Sequence, residues 1–241
     1  LYSKHLSAAA ERCFEYNNAV SAILNQNLNG YVYWIEIVKR KRFSRVVLKG
    51  VPIHVAEELH AQVFGKLDRI IMTSATLTTS KKFEFIKERL GYQPNEELLL
   101  DAPFDYPNQA LLYVPRDLPE PGSEPGPYLE ALSSRCRELV LASGGKTFIL
   151  FTSYALLNQV YEKLEERGLP SPLIRQGDIP TNLMIEKFKE KPSVIFGTNS
   201  FWQGVDIPGE ALQSVIITKL PFDVPKEPLT EARIEELKRQ Q

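Results

Sequence analysis

Apolar and polar positions along this chain follow two periods, and the change of period marks where one architecture is expected to give way to another. Up to about residue 25, Leu6, Ala9, Ala10, Cys13, Phe14, Val20 and Leu24 recur near helical spacing, which predicts one long helix stopped by residues 27–30. Strict alternation over 31–38, with a second run at 45–48, predicts a hairpin around the basic stretch Lys39-Arg40-Lys41-Arg42. That stretch reads first as a solvated turn, since charge runs are usually solvated, with a phosphate-contacting loop as the alternative. A helix is expected over about 54–64, with Val55, Leu59 and Val63 on one face, and a buried strand over 69–72.

Beyond residue 78 the pattern becomes repeated strand–helix units. Ser80 is expected to cap a helix carrying Phe83, Ile86 and Leu90 and stopped by Gly91. A strand is expected at 111–114 and a Pro/Gly-rich loop at 115–127. The helix after it carries Leu129, Leu132, Cys136, Leu139 and Val140 and ends near Gly144-Gly145. Strands are expected at 147–151, 173–175, 194–196 and 214–218, helices at 154–167 and 182–190, and a charged helix from 228 to 241. Such alternation is the signature of an α/β fold with a mostly parallel sheet covered by helices on both faces.

Composition narrows the function. With 43% hydrophobic residues in 241, the chain can bury a substantial core as one or two domains. Its net charge of −1 gives no global attraction to nucleic acid, which leaves a local groove as the only electrostatic route. Cys13 and Cys136 are far apart and form no C-x-x-C, so reduced thiols are expected and a metal site is not. No run approaches the roughly 18 apolar residues of a membrane span, and no signal-peptide pattern opens the chain. A soluble, cytoplasmic chain without a membrane partner is the expectation.

Two stretches imitate catalytic motifs. Gly144-Gly145-Lys146-Thr147 looks like the end of a phosphate-binding loop, but Val140 occupies the place of the earlier glycine. It also ends a helix and opens a strand, the reverse of a phosphate-binding loop, and so reads as a helix C-cap. Glu57-Glu58-Leu59-His60 looks like an acid box but falls inside a predicted helix. His54 and His60 lack the i, i+4 spacing of a zinc pair.

The most informative stretch is 193–209, SVIFGTNSFWQGVDIPG. A β-branched, apolar run feeds Gly197-Thr198-Asn199-Ser200, then two aromatics, Phe201 and Trp202, then Gly204 and Asp206, closed by Pro208-Gly209. The end of a strand in an open α/β sheet is where ligands, phosphates above all, are bound. The stretch resembles motif V of the superfamily 2 DNA helicases of the DinG/XPD group, close to G-T-x-S-F-W-E-G-V-D-x-P-G. The match runs through Gly197, Thr198, Ser200, Phe201, Trp202, Gly204, Val205, Asp206, Pro208 and Gly209, while Gln203 stands where the family usually has Glu. Thr73-Ser74-Ala75-Thr76-Leu77 resembles motif III, and Phe151-Thr152-Ser153-Tyr154 resembles motif IV, in the correct order. Pro103-Phe104-Asp105-Tyr106, Gln176-Gly177-Asp178 and Leu220-Pro221-Phe222-Asp223-Val224-Pro225 also look DinG-like, so the resemblance covers about 34–233.

By that resemblance alone, residues 1–77 would be the C-terminal part of helicase domain one. Residues 78–241 would be most of RecA-like domain two, truncated before motif VI. Ser74 and Thr76 would couple nucleotide state to strand binding. Thr152, Ser153, Tyr154, Thr198, Ser200, Phe201 and Trp202 would face DNA, with core packing the alternative for Tyr154, Phe201 and Trp202. Gly204 and Asp206 would approach the ATP cleft. ATP and Mg2+ would be held mainly by parts outside this chain, and the iron–sulfur cluster of some relatives cannot be built from two cysteines. The implied partners are single-stranded and duplex DNA, and a monomer is the expected state. The implied activity is ATP-driven translocation on single-stranded DNA and unwinding of duplex. A non-motor, nucleic-acid-binding paralogue is the alternative, favoured only by Gln203.

Overall fold

Helical spacing and then alternation become α1 (Tyr2–Asn25) and the antiparallel pair β1 (Tyr31–Lys39) and β2 (Ser44–Pro52), in register from Tyr31 opposite Pro52 to Lys39 opposite Ser44. The computed structural model describes residues 2–39, 43–120, 125–222 and 227–239, so most of the basic run (Arg40, Lys41 and Arg42) lies outside the described residues. Contacts divide the chain into two units, Leu1–Asp105 with Asp223–Gln241, and Tyr106–Phe222. The division does not follow the boundary expected at Leu77. The reason is visible around Gly91, where α3 (Glu84–Leu90) approaches α2 (Ala56–Gln62). Gly91 ends α3 at φ 64°. A Cβ there would stand 2.7 Å from that of Ala56. A left-handed cap and a close approach both call for glycine.

Three expectations fail, two in the first unit and one at the start of the second. Residues 69–72 form no strand, and Ile71 is 94% exposed. Residues 111–114 form none either, with Leu111 93% exposed. An apolar run becomes a strand only when a neighbour completes its ladder, and neither run has one among the described residues. Ser80 does not cap α3. It sits at φ 52° in a tight turn closed by Thr79 and Lys82, and Phe83 takes the cap position without a side-chain bond.

The second unit carries the parallel sheet. A short α4 (Tyr106–Gln109) and a long α5 (Pro125–Ala142) precede β3 (Thr147–Leu150). Then come α6 (Tyr154–Arg167), β4 (Leu173–Arg175), α7 (Thr181–Glu190), β5 (Val194–Gly197) and β6 (Ser214–Ile217). The strand order is β4-β5-β3-β6, every pair parallel, with Thr147 opposite both Val194 and Ser214. β3 and β5 are buried on both faces, which is why they read as unbroken apolar runs.

Alternate residues of these strands enter two cores. Ile149, Phe151, Val194 and Phe196 meet Leu132, Cys136 and Val140 of α5 and Leu157, Val160 and Leu164 of α6 on one face. Phe148, Leu150 and Ile195 meet Met184 and Phe188 of α7 on the other. Burial pushes the Cys136 thiol up to about 12, so it stays protonated and inert at neutral pH. The last helix, α8 (Pro228–Arg239), belongs to the first unit. It lies against β1, and Arg233 donates to the Ile53 carbonyl at 3.2 Å.

Candidate nucleic-acid interface

In a parallel sheet all strands end on the same edge, and the loops that follow them form one continuous rim. In the second unit that rim is built by Thr152 and Ser153 after β3, Gln176 after β4, and Thr198 to Ser200 after β5. Ser153 caps α6, its Oγ accepting the Leu156 amide at 3.3 Å. A capping serine uses a lone pair, so its own O–H remains available as a donor. The amides of the first turn of α6 have no intrahelical acceptor and give the end a partial positive charge. Tyr154, the first residue of α6, is 52% exposed, and Thr152 is half-buried.

The segment resembling motif V divides into inward and outward residues. Phe201 turns inward: it is 4% exposed, sits in the core beneath α7, and meets the Phe148 ring edge-on with centroids 6.0 Å apart. The single turn of 3₁₀ helix over Asn199–Phe201 reverses the chain and carries that ring back over Gly197. A Cβ on Gly197 would lie 2.7 Å from Phe201 Cγ, so the residue must be glycine for the ring to close down. The structure therefore moves Phe201 from the expected strand-facing set into the core.

Thr198 is likewise turned inward, being only 5% exposed. Its amide and its hydroxyl both donate to Gln176 Oε1, at 2.6 and 3.0 Å. Neither donor remains for a ligand. Trp202 is half-buried, and its indole N–H donates to the Phe151 carbonyl at 3.2 Å, which fastens the segment after β5 to the end of β3. Ser200 is exposed and accepts from Gln176 Nε2 at 2.8 Å.

Further along, Val205 and Ile207 pack on the core while Asp206 between them and Gly204 and Gln203 before them face solvent. Gly204 adopts φ 78°, a conformation glycine enters without strain. In the first unit, Ser74 and Thr76 are exposed and close a small turn on themselves. Their hydroxyls lie 3.1 Å apart, and the Thr76 amide donates to Ser74 Oγ at 3.2 Å.

Sequence reasoning missed Gln176 as a site residue. Its tripeptide looks DinG-like, but no spacing or residue type gives it a role, because that role arises only when β4 and β5 lie side by side. Gln176 N also donates to the Phe196 carbonyl at 3.0 Å.

The resemblance of Gly144 to Thr147 to a phosphate loop is resolved by its hydrogen bonds. Gly144 and Gly145 sit at φ 64° and 90°. Their amides donate to the Leu141 and Val140 carbonyls at 3.3 and 3.0 Å and so terminate α5. Those donors are consumed, and they stand at the start of β3, the opposite end from the rim. The described residues hold no group of three or more His, Cys, Asp or Glu that could bind a metal ion. No helix among them is long and apolar enough to cross a membrane.

Residues 136–241 match the helicase C-terminal domain family. Over 239 residues the chain is 37% identical to the ATP-dependent DNA helicase YoaA of Haemophilus influenzae, covering 99% of this chain and 36% of that protein. It is 37% identical over 206 residues to the ATP-dependent helicase DinG of Mycobacterium tuberculosis, covering 84% of this chain and 31% of that one. It is 30% identical over 217 residues to the 3'-5' exonuclease DinG of Bacillus subtilis, covering 84% of this chain and 23% of that one. The parallel sheet with helices on both faces and the motif-bearing rim are thus those of a RecA-like helicase C-terminal domain. More narrowly, the chain is a segment of DinG-type superfamily 2 helicase sequence. It spans about a third of the length of the first two of these relatives.

Proposed function

We propose that this chain is the strand-binding and coupling part of an ATP-dependent DNA helicase of the DinG type, which translocates on single-stranded DNA and unwinds duplex. The observation that carries the reading is the rim itself. Hydroxyl and helix-end donors stand after adjacent parallel strands, at the positions resembling motifs IV and V. Donors of this kind suit phosphates, which are alike at every nucleotide. The exposed Tyr154 and the half-buried Trp202, one side of which packs on the core, add ring faces on which any base stacks. In this reading Thr152, Ser153, Tyr154, Ser200 and Trp202 touch the strand, and Thr198 and Phe201 build the platform beneath them.

Gly204 and Asp206 are assigned to the ATP side and Ser74 and Thr76 to coupling by the resemblance. ATP and its Mg2+ are assigned to regions outside this chain. Residues 1–77 are assigned by the resemblance to the tail of helicase domain one, and residues 78–241 to most of RecA-like domain two. Residues 69–72 with Leu98 and Leu100 line a groove of about 1070 Å³ within the first unit. Gln203, exposed on the rim, gives no structural support to a non-motor role.

The experiment is single-strand affinity. Trp202→Ala in the intact protein is expected to weaken binding of a labelled oligothymidylate by about 1–3 kcal/mol, the worth of a stacked base. A variant that melts earlier yet binds normally per folded molecule would confine Trp202 to packing.

A further inference from the structure

Gln176 bonds three groups of the rim, and the donor and acceptor accounting around it has only one solution. The Thr198 amide can donate and cannot accept, and it lies 2.6 Å from the Gln176 side chain. The atom facing it must therefore be the carbonyl oxygen Oε1, which settles the amide's orientation. Oε1 also takes the Thr198 hydroxyl at 3.0 Å, filling its two lone pairs. The amide nitrogen is then the group 2.8 Å from Ser200 Oγ, and it can only donate. Ser200 is thus compelled to accept, and its own proton has no acceptor among the described residues. It is exposed, and its proton is directed to whatever lies on the rim.

We propose that Gln176 is a positioning residue that makes Ser200 an obligatory hydrogen-bond donor to a phosphate oxygen of the bound strand. The assignment rests on the strand-binding reading above and adds to it the cause of the serine's polarity. A main-chain N–H at Thr198 orients an amide, the amide orients a hydroxyl, and the hydroxyl meets the ligand. β4 contributes to recognition through this relay without touching the ligand, and it locks the turn after β5 against the neighbouring strand. At neutral pH glutamine supplies an acceptor on one side and a donor on the other, where the isosteric glutamate offers acceptors only.

The test separates position from polarity. Gln176→Glu keeps the size of the side chain and the acceptor toward Thr198. It replaces the donor facing Ser200 with a second acceptor, so the serine turns its proton inward. In the intact protein, Q176E is expected to lower affinity for a labelled oligothymidylate about tenfold, the scale of one hydrogen bond to a charged group. Ser200→Ala is expected to lose a similar factor, and Q176E/S200A no more than either alone. Hydrogen exchange at the Thr198 amide should remain slow in Q176E and become fast in Gln176→Ala, which removes the acceptor. Wild-type-like binding by Q176E, or losses that multiply in the double variant, would overturn the relay while leaving the strand-binding reading intact. A wild-type protein with no affinity for the oligonucleotide would overturn both.

Discussion

Phe201→Ala is expected to destabilise the second unit by about 3–5 kcal/mol, the cost of deleting a fully enclosed aromatic ring from a core that only partly collapses. The ring is 4% exposed, meets Phe148 edge-on, and lies over Gly197 so closely that not even a methyl group fits between. It also closes the core formed by Phe148, Leu150, Ile195, Met184 and Phe188 beneath α7. Its loss removes contacts from two strands and a helix together, and the turn over Asn199–Phe201 loses its anchor. Urea unfolding of the 241-residue chain measures the effect directly. A loss below about 1 kcal/mol, in the range of ordinary surface substitutions, would mean that the ring is displaced outward in solution.

The second large effect is an absence of activity. The chain by itself is expected to hydrolyse ATP no faster than the buffer background, with or without single-stranded DNA. Phosphoryl transfer requires the terminal phosphates cradled, a metal held and developing charge neutralised. Gly144 and Gly145, the residues most like a cradle, have spent their amides on the carbonyls of α5. Lys146 immediately precedes β3 at the end away from the rim, and its carbonyl accepts the amides of Gln213 and Ser214, both at 3.0 Å. DNA-stimulated hydrolysis by the chain, abolished by Lys146→Ala, would overturn the assignment of that loop as a helix cap.

How much of the fold and the rim is legible in the sequence depends on what each residue contacts. β3 and β5 are readable because a strand covered on both faces must be apolar at every position, and α6 because its buried positions recur at helical spacing. The same apolar signal misleads at 69–72 and 111–114, where composition suits a strand but no ladder partner is present among the described residues. The helical pattern places Ser153 just before α6, but its capping bond emerges only from the structure.

Within the rim, adjacent residues go to opposite sides for reasons that sequence does not carry. Phe201 and Trp202 are chemically alike, and only the 3₁₀ turn decides which ring is buried. Thr198 and Ser200 both offer hydroxyls, and only Gln176, brought alongside by the pairing of β4 with β5, consumes one and frees the other. Pairing between strands is long-range information, and the polarity of the rim depends on it.

The most direct test of the strand-binding rim is a hydrogen-exchange footprint of an oligothymidylate on the intact protein. Protection is expected at amides of residues 152–155 and 199–204, with none added at 144–147, at the opposite end of β3. Protection confined to 144–147, or none on the rim at saturating oligonucleotide, would contradict the account.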